Sequence, residues 1–299
     1  ILCLSGLGAF AADAARPKII YILADDLGYG DLQRLNPERG KIRTPHLDRL
    51  AGQGMAFTDA HAGASVCTPT RYGILTGLYA WRTRLQSGVP DNYVKPLIAS
   101  DRLTLPELLK QQGYHTACIG KWHLGFTVEA EAGDNNRQQD RKDQGKFAGA
   151  RLGSRTTNGP ITRGFDLFFG FHHARMMKSL FENERVTQLI EPVDMLRTLT
   201  SPASGYVEAC ADTGKPFFLY YAPGTAHWPH QAPRDWIDRF RGQFDMGWDA
   251  LRGQILERQI AMGTVPAGTR LTPRPKEIAA WDFPCHKWSG SGPTSSASI

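Results

Sequence analysis

Four short segments hold residues able to do chemistry together. Cys67-Thr68-Pro69-Thr70-Arg71 sets a thiol four positions before a guanidinium, and Leu75-Thr76-Gly77 follows. On a helix that spacing is about one turn, so both side chains share a face. Asp25-Asp26 offers two hard carboxylates, the ligand type that suits Ca²⁺. Gly120-Lys121-Trp122-His123-Leu124-Gly125 pairs a point cation with an imidazole, and Ala226-His227-Trp228-Pro229 adds a second proton carrier. A thiol, cations and imidazoles beside possible metal ligands favour an anionic ligand.

These segments need elements that bring them to one place. Residues 18–24 (KIIYILA) form a continuous apolar run, which predicts a strand buried on both faces with Asp25 and Asp26 at its carboxyl end. Thr44 followed by Pro45 predicts a helix start, with Leu47, Leu50 and Ala51 as its apolar stripe and Gly54 as its stop. Residues 55–60 read as a strand. Pro69 to Gly77 reads as a short helix capped by Thr68, whose free N–H groups favour an anion. Thr104 caps a predicted helix through Gln112, Gly113 ends it, and Tyr114–Ile119 is a strand. Pro216–Ala222 (PFFLYYA) is another apolar strand, and residues 247–262 carry Trp248, Leu251, Ile255 and Met262 at helical spacing. Alternating strands and helices predict an α/β fold with a largely parallel sheet. In such a sheet ligands bind beyond the carboxyl ends of the strands, so the four segments should converge.

Composition narrows the field. Of 299 residues, 41% are hydrophobic and 21% charged, ordinary for a globular chain with a large core. The net charge of +6 favours anionic ligands. No dense basic run interleaved with aromatics occurs, which argues against a nucleic-acid partner. Five cysteines without a C-x-x-C pair argue against a zinc ribbon or a thioredoxin-like site. Cys118 lies in an apolar run and reads as inert core. The apolar start ILCLSGLGAF, followed by small residues, reads as a signal-peptide remnant over 1–14, with its beginning missing at Ile1. Export to the periplasm or exterior is therefore expected, and no later segment has transmembrane length. Residues 129–158 read as a mobile polar insertion and 283–299 as an unrelated or disordered tail.

Taken together, the segments resemble the type I sulfatases of the alkaline phosphatase superfamily. The likeness runs from about Lys18 to Asp282 and includes Gly164-Phe165-Asp166-Leu167-Phe168-Phe169-Gly170 and Leu271-Thr272-Pro273-Arg274-Pro275. It implies an alkaline-phosphatase-like α/β/α sandwich, with residues 15–282 as a catalytic domain lacking its C-terminal part. It implies that a formylglycine-generating enzyme oxidises Cys67 to formylglycine, and that the product hydrolyses an aryl or carbohydrate sulfate. By the same resemblance Asp25, Asp26 and the modified Cys67 hold Ca²⁺, Arg71 orients the hydrate, Lys121 neutralises sulfate oxygens, His123 takes the hydrate proton, and His227 protonates the leaving oxygen.

The family pattern also has a later Asp-Asn pair at the metal. Here the Asp-Asn pairs are Asp91-Asn92 and Asp134-Asn135, and neither closes a predicted strand. Two alternatives stand beside the hydrolase: an inactive fragment of this lineage, and a phosphoester or phosphonate hydrolase of the same superfamily. His172-His173 and His230 receive no role, with lining of the substrate pocket a secondary reading of His230, which sits close to His227.

Overall fold

The structure, a computed structural model, describes residues 16–28, 31–35, 42–57, 59–90, 93–129, 149–174 and 177–281. Among them a six-stranded sheet runs in the order β1-β8-β2-β5-β6-β7. Its strands are β1 Ile19–Ile22, β2 His115–Lys121, β5 Leu167–Phe171, β6 Ser179–Glu182, β7 Arg185–Leu189 and β8 Phe217–Ala222. β1, β8, β2 and β5 are mutually parallel, whereas β6 and β7 add an antiparallel ribbon. The predicted largely parallel α/β sheet is present.

The period-2 alternation of strand side chains divides the apolar residues between two faces. Cys118, Phe168, Phe218 and Tyr220 join one core with Tyr72 and Leu75 of α2 (Cys67–Thr76). Ala117, Ile119, Phe169, Phe217 and Leu219 join a second core with Met195, Leu199 and Ala203 of α4 (Met195–Thr213). Helices on both faces of the sheet make the α/β/α layering.

Two glycines allow the strands to close at the site. A Cβ on Gly120 would lie 2.0 Å from the Ala222 carbonyl oxygen, and its φ of 116° excludes most side chains. A Cβ on Gly170 would lie 1.9 Å from the Gly120 oxygen. The carboxyl ends of β2, β5 and β8 thus approach closely only because these positions are bare.

Several elements differ from the sequence expectation. Among the described residues β1 is an edge strand rather than a buried one, with Ile20 47% and Ile22 55% exposed, because β8 alone pairs with it there. The described residues of the predicted strand 55–60 have irregular backbone. α2 begins at Cys67, and Val66, not Thr68, sits at its N-cap. The helix α3 (Leu105–Gln111) follows its expectation: Thr104 and Glu107 form a reciprocal capping box. In the predicted insertion, residues 149–158 pack, with Thr156–Thr157 (β4) paired to Thr127–Val128 (β3) and Ser154 and Thr156 buried. The signal remnant over 1–14, the tail 283–299, Asp91-Asn92 and Asp134-Asn135 lie outside the described residues. α1 (Pro45–Gln53), α5 (Arg234–Asp238) and α6 (Gly247–Ala261) complete the long elements.

Candidate active site

β1 delivers Asp25 and Asp26 just beyond its end. Asp25 is buried, and its backbone N–H donates to the Thr225 carbonyl at 2.7 Å, tying the end of β1 to the loop after β8. β2 ends on Lys121, fully buried, whose Nζ donates to Asp25 Oδ2 at 2.6 Å. α2 points Arg71 inward from one turn after Cys67. Its guanidinium donates to the Lys121 carbonyl at 2.6 Å and lies 3.4 Å from Asp25 Oδ2. One buried carboxylate thus sits between two buried cations. Burial works to raise its carboxyl, but Arg71 and Lys121 outweigh that and hold it below the ordinary 3.8. Lys121 is pushed down by burial and by Arg71, and Asp25 opposes that shift.

Cys67 lies at the first turn of α2, half-buried, against His227. Burial favours the neutral thiol. The His227 contact and Lys121 overcome it, so the thiol lies below its ordinary 9.0. His227 is correspondingly raised, chiefly through Cys67 and against burial. Its Nε2 also lies 3.7 Å from Asp26 Oδ2. Thiol and imidazole thus pair at a helix N-terminus beside an arginine and a lysine, and each shifts the other toward its charged form.

His123 completes the group from the turn after β2. It is fully buried, at φ 56°, and Asp26 is at φ 63°; both occupy the left-handed region that costs a non-glycine residue about 1–3 kcal/mol. Thr68 holds this turn by donating to the His123 carbonyl at 2.9 Å. His123 Nε2 lies 3.0 Å from the Pro90 carbonyl. A carbonyl only accepts, so Nε2 carries the proton and Nδ1 is bare. Burial and then Lys121 drive this imidazole well below 6.5, which keeps it neutral.

The structure therefore brings together Asp25, Asp26, Cys67, Arg71, Lys121, His123 and His227. His230 is exposed and joins none of these contacts. His172 and His173, given no role from sequence, are buried behind His123. Their position just after Gly164–Gly170, at the carboxyl end of β5, was the signal that could have found them.

Metal capacity is limited. Among the described residues no group of three or more His, Cys, Asp and Glu side chains is placed to hold a metal ion. Asp25 already gives an oxygen to Lys121, and two carboxylates fall short of the roughly six to eight oxygens of Ca²⁺. The described residues supply only part of the oxygen set that Ca²⁺ takes.

The largely parallel α/β/α sheet thus carries a cysteine, two buried cations and two imidazoles together at its strand ends. The Sulfatase family model matches residues 17–274, and the chain belongs to the sulfatase family. It is 31% identical over 274 residues to an arylsulfatase of Klebsiella aerogenes, covering 88% of this chain and 54% of that one. With arylsulfatase A of Bos taurus it shares 33% identity over 249 residues, covering 75% and 44%. An N-acetylgalactosamine-6-O-sulfatase of Bacteroides thetaiotaomicron is 46% identical over 114 residues, 38% of this chain and 22% of that one. A solved structure from work on the metabolism of multiple glycosaminoglycans by that bacterium superposes with a TM-score of 0.59 at 26% identity, covering 84% and 58%. The chain spans about half the length, or less, of these curated relatives. Families of this kind are generally metal- and formylglycine-dependent.

Proposed function

We propose that this chain carries the reacting face of a sulfuric ester hydrolase whose position 67 is matured from cysteine to formylglycine by a separate enzyme. The observation that supports it most is the meeting of Cys67, at a helix N-terminus, with Lys121, Arg71 and His227. That cradle suits a tetrahedral anion next to a modified residue. Formylglycine in its hydrated form supplies two hydroxyls on one carbon, one for attack on sulfur and one for release of the product.

The chain's own residues have these parts in the proposal. Arg71, always charged and locked to the Lys121 carbonyl, orients position 67. Lys121 neutralises sulfate oxygens. His227, beside position 67, gives a proton to the leaving oxygen. His123, neutral with a bare Nδ1, accepts a proton during product release. Asp25 and Asp26 are proposed as two of the oxygen donors toward Ca²⁺, with further oxygens needed to complete it.

The substrate class is an aryl or carbohydrate sulfate, in keeping with the arylsulfatase and N-acetylgalactosamine-6-O-sulfatase relatives. Export is proposed from the signal-like start. No helix among the described residues is long and apolar enough to cross a membrane.

The test is hydrolysis of a nitrophenyl sulfate by the chain co-expressed with a formylglycine-generating enzyme, with nitrophenyl phosphate as the competing ester. Turnover of the sulfate ester that disappears in Cys67→Ala is expected. Equal turnover in that variant would refute the assignment, as would a preference for the phosphate.

A further inference from the structure

His172 and His173 lie directly beyond β5 and are buried to 0% and 2% exposure. The ring of His173 stands 4.3 Å from that of His123 at an interplanar angle of 83°. On the other side it stands 6.3 Å from the ring of His227 at 74°. The ring of His172 meets His123 at 5.7 Å and 78°, and is itself packed edge-on against Tyr93 and Phe126. His123 is therefore bracketed by two imidazoles, and His173 also reaches the histidine beside Cys67.

His123 needs such support. Its backbone is in a disfavoured region, and its ring donates from Nε2 to the Pro90 carbonyl. Nδ1 is buried and has no hydrogen-bond partner. The bond to Pro90 fixes the tautomer, with the proton on Nε2, but by itself leaves the ring free to turn about the bonded nitrogen. Edge-to-face contact with a neighbouring ring removes that freedom, because edge and face carry opposite partial charge and the contact fixes the angle between planes.

We infer that His173 is a positioning residue: wedged between His123 and His227, its ring fixes the plane of His123 and so the direction in which the bare Nδ1 points. This rests on the proposed sulfate ester hydrolysis for its catalytic meaning, though not for its geometry. The groups facing His123 agree with it. Lys121 from β2, Arg71 from α2, and His172 and His173 after β5 all oppose a positive charge on that ring, while Asp25 is taken up by Lys121.

The experiment uses the full chain and two substitutions, His173→Ala and His173→Phe. The ring ¹⁵N signals of His123 are recorded on the protein with an unmodified thiol at position 67, where no turnover is needed. The wild type should show a single tautomer protonated on Nε2. His173→Ala should keep that tautomer but broaden the ring signals through exchange between ring orientations, and His173→Phe should restore the wild-type pattern. After maturation, kcat should fall about tenfold or more in His173→Ala, with KM within about twofold, and lie within about threefold of wild type in His173→Phe. If His173→Ala does not fold, His173→Leu, which fills the space without an aromatic edge, carries the same expectation. Unchanged His123 signals in the alanine or leucine variant would overturn the inference, as would equal disturbance in the phenylalanine variant. Ring signals that behave as expected, without sulfate ester turnover in any form, would uphold the positioning and overturn the reaction proposed above.

Discussion

Replacing Lys121 with methionine tests the electrostatic centre of the site. Methionine keeps most of the lysine stem's volume, so the change removes a charge and little packing. Lys121 and Asp25 are a 2.6 Å pair with side-chain exposures of 0% and 5%. Removing one partner of such a pair strands the other, at a cost of about 3–5 kcal/mol. Arg71 stays 3.4 Å from the same carboxylate oxygen and compensates in part, which brings the expected loss to about 2–3 kcal/mol. In a chain of this size each kcal/mol moves the melting temperature by roughly 2–3 °C, so a drop of about 4–9 °C is expected near neutral pH. The pH dependence has a definite sign. Asp25 is held below its ordinary 3.8, so its contribution is complete above that value and is lost as pH falls through the lower folded value. The gap between wild type and Lys121→Met should therefore be widest above 3.8 and narrow in stronger acid. Thermal unfolding followed by circular dichroism over that range reads both effects. A variant within about 1 °C of wild type near neutrality, or a gap that stays constant into acid, would refute the reading of Asp25 as a charged, doubly paired group.

Three further outcomes follow from the geometry. Gly120→Ala would drive a methyl to 2.0 Å from the Ala222 carbonyl oxygen at a φ of 116°, so a loss above about 4 kcal/mol is expected, seen as lost soluble yield or a collapsed urea midpoint. Thr68→Val removes the donor to the buried His123 carbonyl and should cost about 1–3 kcal/mol in urea unfolding; an unchanged midpoint would show that this bond does not hold the turn. Calcium titration by calorimetry should find only weak binding, with Kd on the order of 0.1–1 mM or above, since two carboxylates are all that the described site offers. A submicromolar site abolished by Asp26→Asn would show that oxygens beyond Asp25 and Asp26 complete the coordination.

What could be read from the sequence was what depends on local order. The Thr104–Glu107 capping box, the apolar runs of β2 and β8, and the one-turn spacing of Cys67 and Arg71 are properties of short segments, and each appears in the structure. Because ligands gather at strand ends in a parallel sheet, the order of these segments was enough to gather Asp25, Cys67, Lys121 and His227 into one expected site. The exposure of β1 could not be read, because an apolar run looks the same in the centre of a sheet and at its edge. Only the strand order puts Ile19–Ile22 outermost. Thr68 was misread as a cap for a similar reason, since its hydroxyl goes instead to a carbonyl 55 residues away.

Residue types and spacing by themselves determined the α/β class and marked the segments that carry the candidate site. The tertiary structure decided what those groups are to one another. It made Asp25 the shared anion of Lys121 and Arg71, paired Cys67 with His227, left His123 neutral with a bare nitrogen, and set His173 between two histidines. The reason is physical: protonation states and ring orientations depend on burial and on neighbours within a few ångströms, and those neighbours come from segments far apart in the chain.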